Sequence, residues 1–225
     1  MTSHVFQTIA RVRVVGHGRA GGAIAARLRE RGVLHDLDPD LVVVCVPDTA
    51  IAEVANRIEI GPWVAHVSGA TPLAALAPHA RVFSVHPLQT FTTARGPEQL
   101  DGAWAAVTAF DDEAREAGRW LAGSLGLRAF DLADGHRALY HAGASIASNF
   151  LVTLHRAAAR AVAAAGAPPE ALLPLMQRTM DNQFALTGPI ARGDWATVDA
   201  HIAALHDALP DLEPLYRALA EATRP

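Results

Sequence analysis

The sequence predicts an α/β protein in which a truncated parallel sheet is followed by an all-helical C-terminal domain. Three observations predict it. Short runs rich in Val and Ile alternate with helix-like stretches up to about residue 132; a glycine-rich turn follows the first of those runs; and from about residue 133 the strand signal gives way to Ala, Leu and Arg. The expected domains are therefore 1–132 and 133–225.

The apolar runs are 12–15, 41–46, 63–67, 82–85, 105–110 and 127–132. Strands this apolar, separated by helices, belong to a parallel sheet covered on both faces. In the second half the helical stretches are 139–165, 169–180 and 194–209. Pro168 and Pro169 open the second of these, and Asp194 is placed to cap the third.

Composition removes several classes of function. The chain has 225 residues, 51% of them apolar, with 19 basic against 23 acidic side chains and a net charge of −4. Every basic residue is Arg, so no mechanism that needs an amine nucleophile, a Schiff base or a phosphate-loop lysine is open. A mildly acidic chain without a basic block is not expected to bind nucleic acid or an anionic membrane. Residues 1–11 contain no apolar stretch of signal-peptide length, and no run is long enough to span a bilayer, so the expected address is the cytoplasm. Cys45, without a second cysteine, is expected to be core. His201 and His206, five apart, do not align as metal ligands, and no metal site is expected.

The segment from Val12 to Gly22 reads strand, then G-x-G-x-x-G, then helix. Gly16 permits the tight turn, Gly18 lets the backbone approach a diphosphate and Gly21 lets helix and strand pack closely, which is the Rossmann-like arrangement. Gly16, Gly18, Arg19, Ala20 and Gly21 are thus candidate cofactor-binding residues. A complete dinucleotide site next supplies a second strand ending in a group that holds the adenosine ribose. Here the link 33–40 leaves room for at most a very short strand at 33–34, with Asp36, Asp38 and Arg19 as the nearby candidates. Asp36 and Asp38 equally suit a solvated turn before Pro39.

Three strand ends bring polar groups to the carboxyl edge, where open parallel sheets bind ligands. They are Pro47-Asp48, His66 to Ala70 with Ser68, and His86 to Phe91. Through residues 16–25, 46–51, 66–70, 84–91, 141–150 and 185–194 the chain resembles a family of bacterial proteins that join a Rossmann-like domain to a helical domain of the DUF2520 type. That family is related to pyrroline-5-carboxylate reductase and 6-phosphogluconate dehydrogenase-like oxidoreductases. The resemblance implies an NADP- or NAD-dependent oxidoreductase acting on a small molecule, and a homodimer through the helical domain. Family members are normally full-length where this chain has its short link.

Within that resemblance His86 is the candidate for the proton that accompanies redox chemistry, or else a residue that shapes its loop. Ser68 either bonds the cofactor carboxamide or substrate, or caps the helix expected near Pro72. His141, Ser145 and Asn149 lie four apart, on one helix face. Related hydroxyacid dehydrogenases place Lys and Asn at the last two positions; with Ser145 in place of Lys, the proton role passes to His86 or His141. Thr187, Gly188 and Asp194 either close over the site or begin a helix. The rival reading from another class is a binding or scaffolding protein that keeps the glycine turn and has lost the cofactor.

Overall fold

The computed structural model describes residues 9–224; the first eight residues, on which the expectation of a leader-free start bears, and the last lie outside the described part. The chain divides into two compact units, one up to Ser145 and one from Ile146.

The first unit holds a six-stranded sheet: β1 Val12–Val15, β2 Leu41–Val44, β3 Trp63–His66, β4 Val82–Pro87, β5 Trp104–Ala109 and β6 Arg128–Asp131. Spatial order follows chain order, and all neighbours are parallel except β4 and β5, which run antiparallel with Pro87 opposite Ala105. The sequence predicts parallel strands throughout, and the difference has a physical cause. A parallel return has to cross a face of the sheet to its far end. The 88–103 loop instead turns back where β4 ends: Leu88 N donates to Trp104 O at 2.7 Å, and Gln99 ties the loop on itself, accepting the Thr92 amide and donating to the carbonyl oxygens of Thr92, Arg95 and Gly96.

Because β2, β3 and β4 are buried on nearly every residue, the sheet has to be covered on both faces there, whereas β6 is largely exposed. Val14, Val43, Ala65, Phe83 and Val107 pack with α1 (Arg19–Glu30) and α3 (Asp112–Ser124) on one face. Val42, Val44, Val64 and Val82 pack with Ile51 and Ala55 of α2 (Ile51–Ala55) and with Leu73 and Leu76 on the other. Asp111 caps α3 by accepting the Ala114 amide at 2.8 Å, with Asp112 and Glu113 in its first turn.

After the last strand comes α4 (Arg137–Ser145), which belongs to the sheet unit because Arg137 is inserted under the strand ends. The second unit has a π-helical turn, Ile146–Phe150, then α5 (Leu151–Ala164), α6 (Leu172–Asp181), α7 (Trp195–Ala208) and α8 (Glu213–Ala222). The single stretch expected at 139–165 is therefore divided. No helix among the described residues is long and apolar enough to cross a membrane.

Candidate functional site

The turn after β1 is dictated by close contact. Gly16 has φ +97°, and a Cβ there would lie 2.5 Å from the Cys45 carbonyl oxygen. A Cβ on Gly21 would lie 2.0 Å from the Gly16 carbonyl oxygen. Both positions require glycine. Gly18 differs: it is the N-cap of α1 and has nothing within 4 Å of where its Cβ would stand. No side chain caps α1 and no acidic residue occupies its first turn, so its leading amides are left for an anion. Arg19 is exposed and Ala20 half-buried at that helix start. Cys45 beside this turn is half-buried, and burial pushes its thiol up to about 12.

Of the missing second strand one bridge survives, Val12 to Leu34, with Val12 N donating to Val33 O at 2.8 Å and His35 N to Val12 O at 2.9 Å. The link then returns through Asp40, whose carboxylate accepts the amides of Ala10 (3.0 Å) and Arg11 (2.9 Å) and the Arg11 guanidinium (3.1 Å). Asp36 and Asp38 are exposed, and Asp38 lies 4.0 Å from Arg11 Nη1.

The strand ends that sequence reasoning singled out do meet. Ser68, just past β3, donates its hydroxyl to Asp48 Oδ2 at 2.8 Å and accepts the amides of Ala70 (3.2 Å) and Thr71 (3.0 Å). Its hydroxyl is therefore engaged in holding the loop, and the element that follows is the 3₁₀ turn Leu73–Leu76. Pro47 and Asp48 are exposed at the end of the neighbouring strand. His66 is fully buried; its Nδ1 receives the Ser68 amide at 3.2 Å, and its Nε2 has no hydrogen-bond partner among the described residues. Burial, aided by the charge of Arg137, pushes the His66 imidazole down to about 3.

His86 sits in β4 with Nδ1 2.8 Å from the Tyr140 hydroxyl, and its ring meets Tyr140 and His141 edge-on, at 5.5 and 5.9 Å between centroids. Burial first, and then the charges of His141 and Arg137, push it down to about 4, so it is neutral at pH 7. Gly69 makes room for this pair: a Cβ there would lie 2.6 Å from His141 Cδ2 and 2.9 Å from His86 Nε2.

Two residues of this cluster escaped sequence reasoning. Arg137 is 2% exposed; its guanidinium donates to Ser84 Oγ (2.7 Å), Thr108 Oγ1 (2.8 Å) and the Ser68 carbonyl oxygen. Asp134 is 3.9 Å from its Nε. The signal was present in the strands: Ser84 and Thr108 are polar side chains at inward positions of apolar runs, and a buried hydroxyl needs a partner. Tyr140 carried no such signal.

From the other candidates, Ser145 ends α4 and Asn149 is exposed in the π-helical turn of the second unit, so the four-residue spacing crosses a change of helical period. Asp194 caps α7, accepting the Thr197 amide at 3.2 Å and its hydroxyl at 2.7 Å. The Thr187 carbonyl oxygen accepts from Arg192 Nη1 at 2.8 Å, and Gly188 lies in the same segment.

A family model described as a domain of unknown function, DUF2520, matches residues 103–223. No curated protein matches the chain significantly. Among solved structures it is similar to BF3122 from Bacteroides fragilis, described as a candidate NADP oxidoreductase, with 21% identity over 96% of this chain and 98% of that one and a TM-score of 0.79. It is similar to protein TM1727 from Thermotoga maritima, with 24% identity over 94% and 96% and a TM-score of 0.76. It is also similar to a reductive aminase from Aspergillus terreus solved with NADPH4, cyclohexanone and allyl amine, with 14% identity over 96% and 95% and a TM-score of 0.64. At these identities the likenesses show a shared fold.

Proposed function

The chain belongs to the DUF2520 family, and from that premise we propose that it is an NAD(P)-dependent oxidoreductase acting on a small polar metabolite. The observation that carries the reading is the head of α1: a turn in which Gly16 and Gly21 are sterically required, while Gly18 opens onto free space before an uncapped, acid-free helix start. Such a terminus favours a diphosphate. Gly16, Gly18, Arg19, Ala20 and Gly21 would hold that part of the cofactor, with Pro47 and Asp48 at the adjacent strand end. When bound, the nicotinamide supplies or accepts a hydride. His86, neutral and at the carboxyl edge of the same sheet, serves the accompanying proton; Ser68 holds the adjoining loop; and His141 stands beside the His86 ring.

A second reading, a binding protein without catalysis, is favoured by the single bridge that stands where a nucleoside wall is expected. Titration with NADPH and NADH separates the two. Micromolar affinity is expected for one of them, and absence of binding at millimolar cofactor refutes the enzyme reading. Gly18→Asp is the control. Its side chain has space, and as an N-cap in place of glycine it adds roughly a few tenths of a kcal/mol to helix stability. Its carboxylate would occupy the amides that a diphosphate needs, so affinity is lost while the melting temperature holds or rises.

A further inference from the structure

We propose that Tyr140 is the positioning residue of this site: its hydroxyl donates to Nδ1 of His86 and fixes the ring as the Nε2–H tautomer, which makes His86 a proton donor toward a substrate carbonyl oxygen or imine nitrogen. The substrate part of this inference rests on the oxidoreductase reading; the tautomer does not.

Two neutral partners face each other across 2.8 Å, and the proton could lie on either side. Chemistry decides the direction. A phenol is a stronger acid than a neutral imidazole N–H, and an imidazole nitrogen is a stronger base than a phenol oxygen, so O–H···N is the stronger bond. Burial pushes Tyr140 up to about 12, which keeps it a phenol, and the His86 imidazole is uncharged for the reasons given above. The groups acting on His86 are Arg137 and His141, which oppose its charging, and Asp48, which favours it. With Nδ1 occupied as an acceptor, the remaining proton is on Nε2. That nitrogen makes no hydrogen bond among the described residues, and it faces the bare Cα of Gly69. Any side chain at position 69 would close that edge.

This arrangement also solves the problem of using a neutral imidazole as an acid. Loss of the Nε2 proton alone would leave an imidazolate. Here the Tyr140 O–H bond breaks as an N–H bond forms at Nδ1, while the Nε2–H bond breaks as an O–H or N–H bond forms on the substrate. The imidazole stays neutral, and the negative charge moves from the substrate atom to the phenolate, on which the Arg137 charge acts favourably. The site is then matched to a strongly basic acceptor, an alkoxide or amide anion in formation, rather than to removal of a proton by His86.

The test is long-range ¹H–¹⁵N spectroscopy of the full chain labelled in histidine, without cofactor or substrate, with the His86 signals identified by their loss in His86→Gln. At pH 7 the wild type is expected to show an unprotonated Nδ1 and a protonated Nε2. In Tyr140→Phe both nitrogens are expected to move toward the averaged positions of free histidine, with the backbone spectrum retained. A wild-type His86 protonated at Nδ1 overturns the proposal even if the variant does not fold, and so does an unchanged tautomer in a folded variant. Failure to bind either NADPH or NADH would refute the oxidoreductase reading and leave the tautomer result standing.

Discussion

A fully buried imidazole beside a buried guanidinium sets the acid limit of this protein. His66 has its ring in the sheet, and the positive charge of Arg137 opposes its protonation. In the unfolded chain the same ring titrates near 6.5, so between about pH 6.5 and 3 the unfolded state binds the extra proton and the native state does not. Stability is therefore whole above that window and falls as the pH drops through it. The slope from this histidine is about 1.4 kcal/mol per pH unit, and His86 adds a similar slope down to about 4. Urea unfolding at pH 7 and pH 5 checks this. In His66→Gln the dependence over that interval is expected to shrink by about the share of one histidine, and an unchanged slope would show that His66 is not the group responsible. Arg137 itself was not legible as a site residue, since an arginine at a helix start reads as solvated. Only its three oxygen partners, from β4, β5 and the loop after β3, identify it as the tie beneath the site.

At the scale of elements, β1 and α1 are joined through two glycines with no tolerance and one with ample tolerance. Gly21→Ala is expected to lose about 1–3 kcal/mol of stability, the usual cost of forcing an extra carbon into close packing, because the added carbon meets the Gly16 carbonyl oxygen. Gly18→Ala, with nothing near, is expected to lose no more than about 1 kcal/mol, the cost of an alanine in place of glycine at an N-cap. The contrast between the two variants is the measurement; equal losses would mean that the turn is looser than its contacts imply. This contrast explains why so much of the region could be read from sequence. A turn that only glycine can make writes itself into the residue pattern, and so do the runs 12–15, 41–46 and 63–67, whose strands carry apolar residues on both sides. The shortness of the 33–40 link was equally legible, because eight residues cannot hold a strand, a helix and another strand. What could not be read is direction and period. The run 105–110 looks the same whether its strand returns parallel or antiparallel, and what decides is the 88–103 loop, which Gln99 ties back on itself at the end of β4. A π-helical turn at Ile146–Phe150 leaves no mark in residues that are all compatible with an α-helix. The Tyr140–His86 contact joins positions 54 apart, beyond any local pattern.

At the scale of the whole molecule, the second unit poses a question of burial. From Ile146 onward, Val198 and Ala220 are the only fully buried apolar side chains among the described residues. A stretch of this length needs far more apolar burial to offset the entropy of ordering its chain. The unit carries an apolar cavity of about 720 Å³ framed by α5, α7 and α8, with Leu154, Ala158, Leu205, Leu212 and Leu219 in its wall. On α6 it carries Leu173 and Leu175, both exposed, and Phe184 beyond that helix is 72% exposed. We propose that the occupant is a second copy of this chain. An apolar cavity and exposed apolar side chains on one unit can be paired by a two-fold interface, each copy giving and receiving the same contacts. Sedimentation velocity at tens of micromolar is expected to show a species of twice the 23.8 kDa chain mass. Leu154→Glu, in the cavity wall, and Leu175→Glu, exposed on α6, should each shift it to the single-chain mass, because either charge would be buried at the joint. A wild-type protein that sediments as one chain at that concentration would refute the pairing. The cavity would then have to be filled by a ligand or another protein, and the helical half would have to be stabilised without its twin.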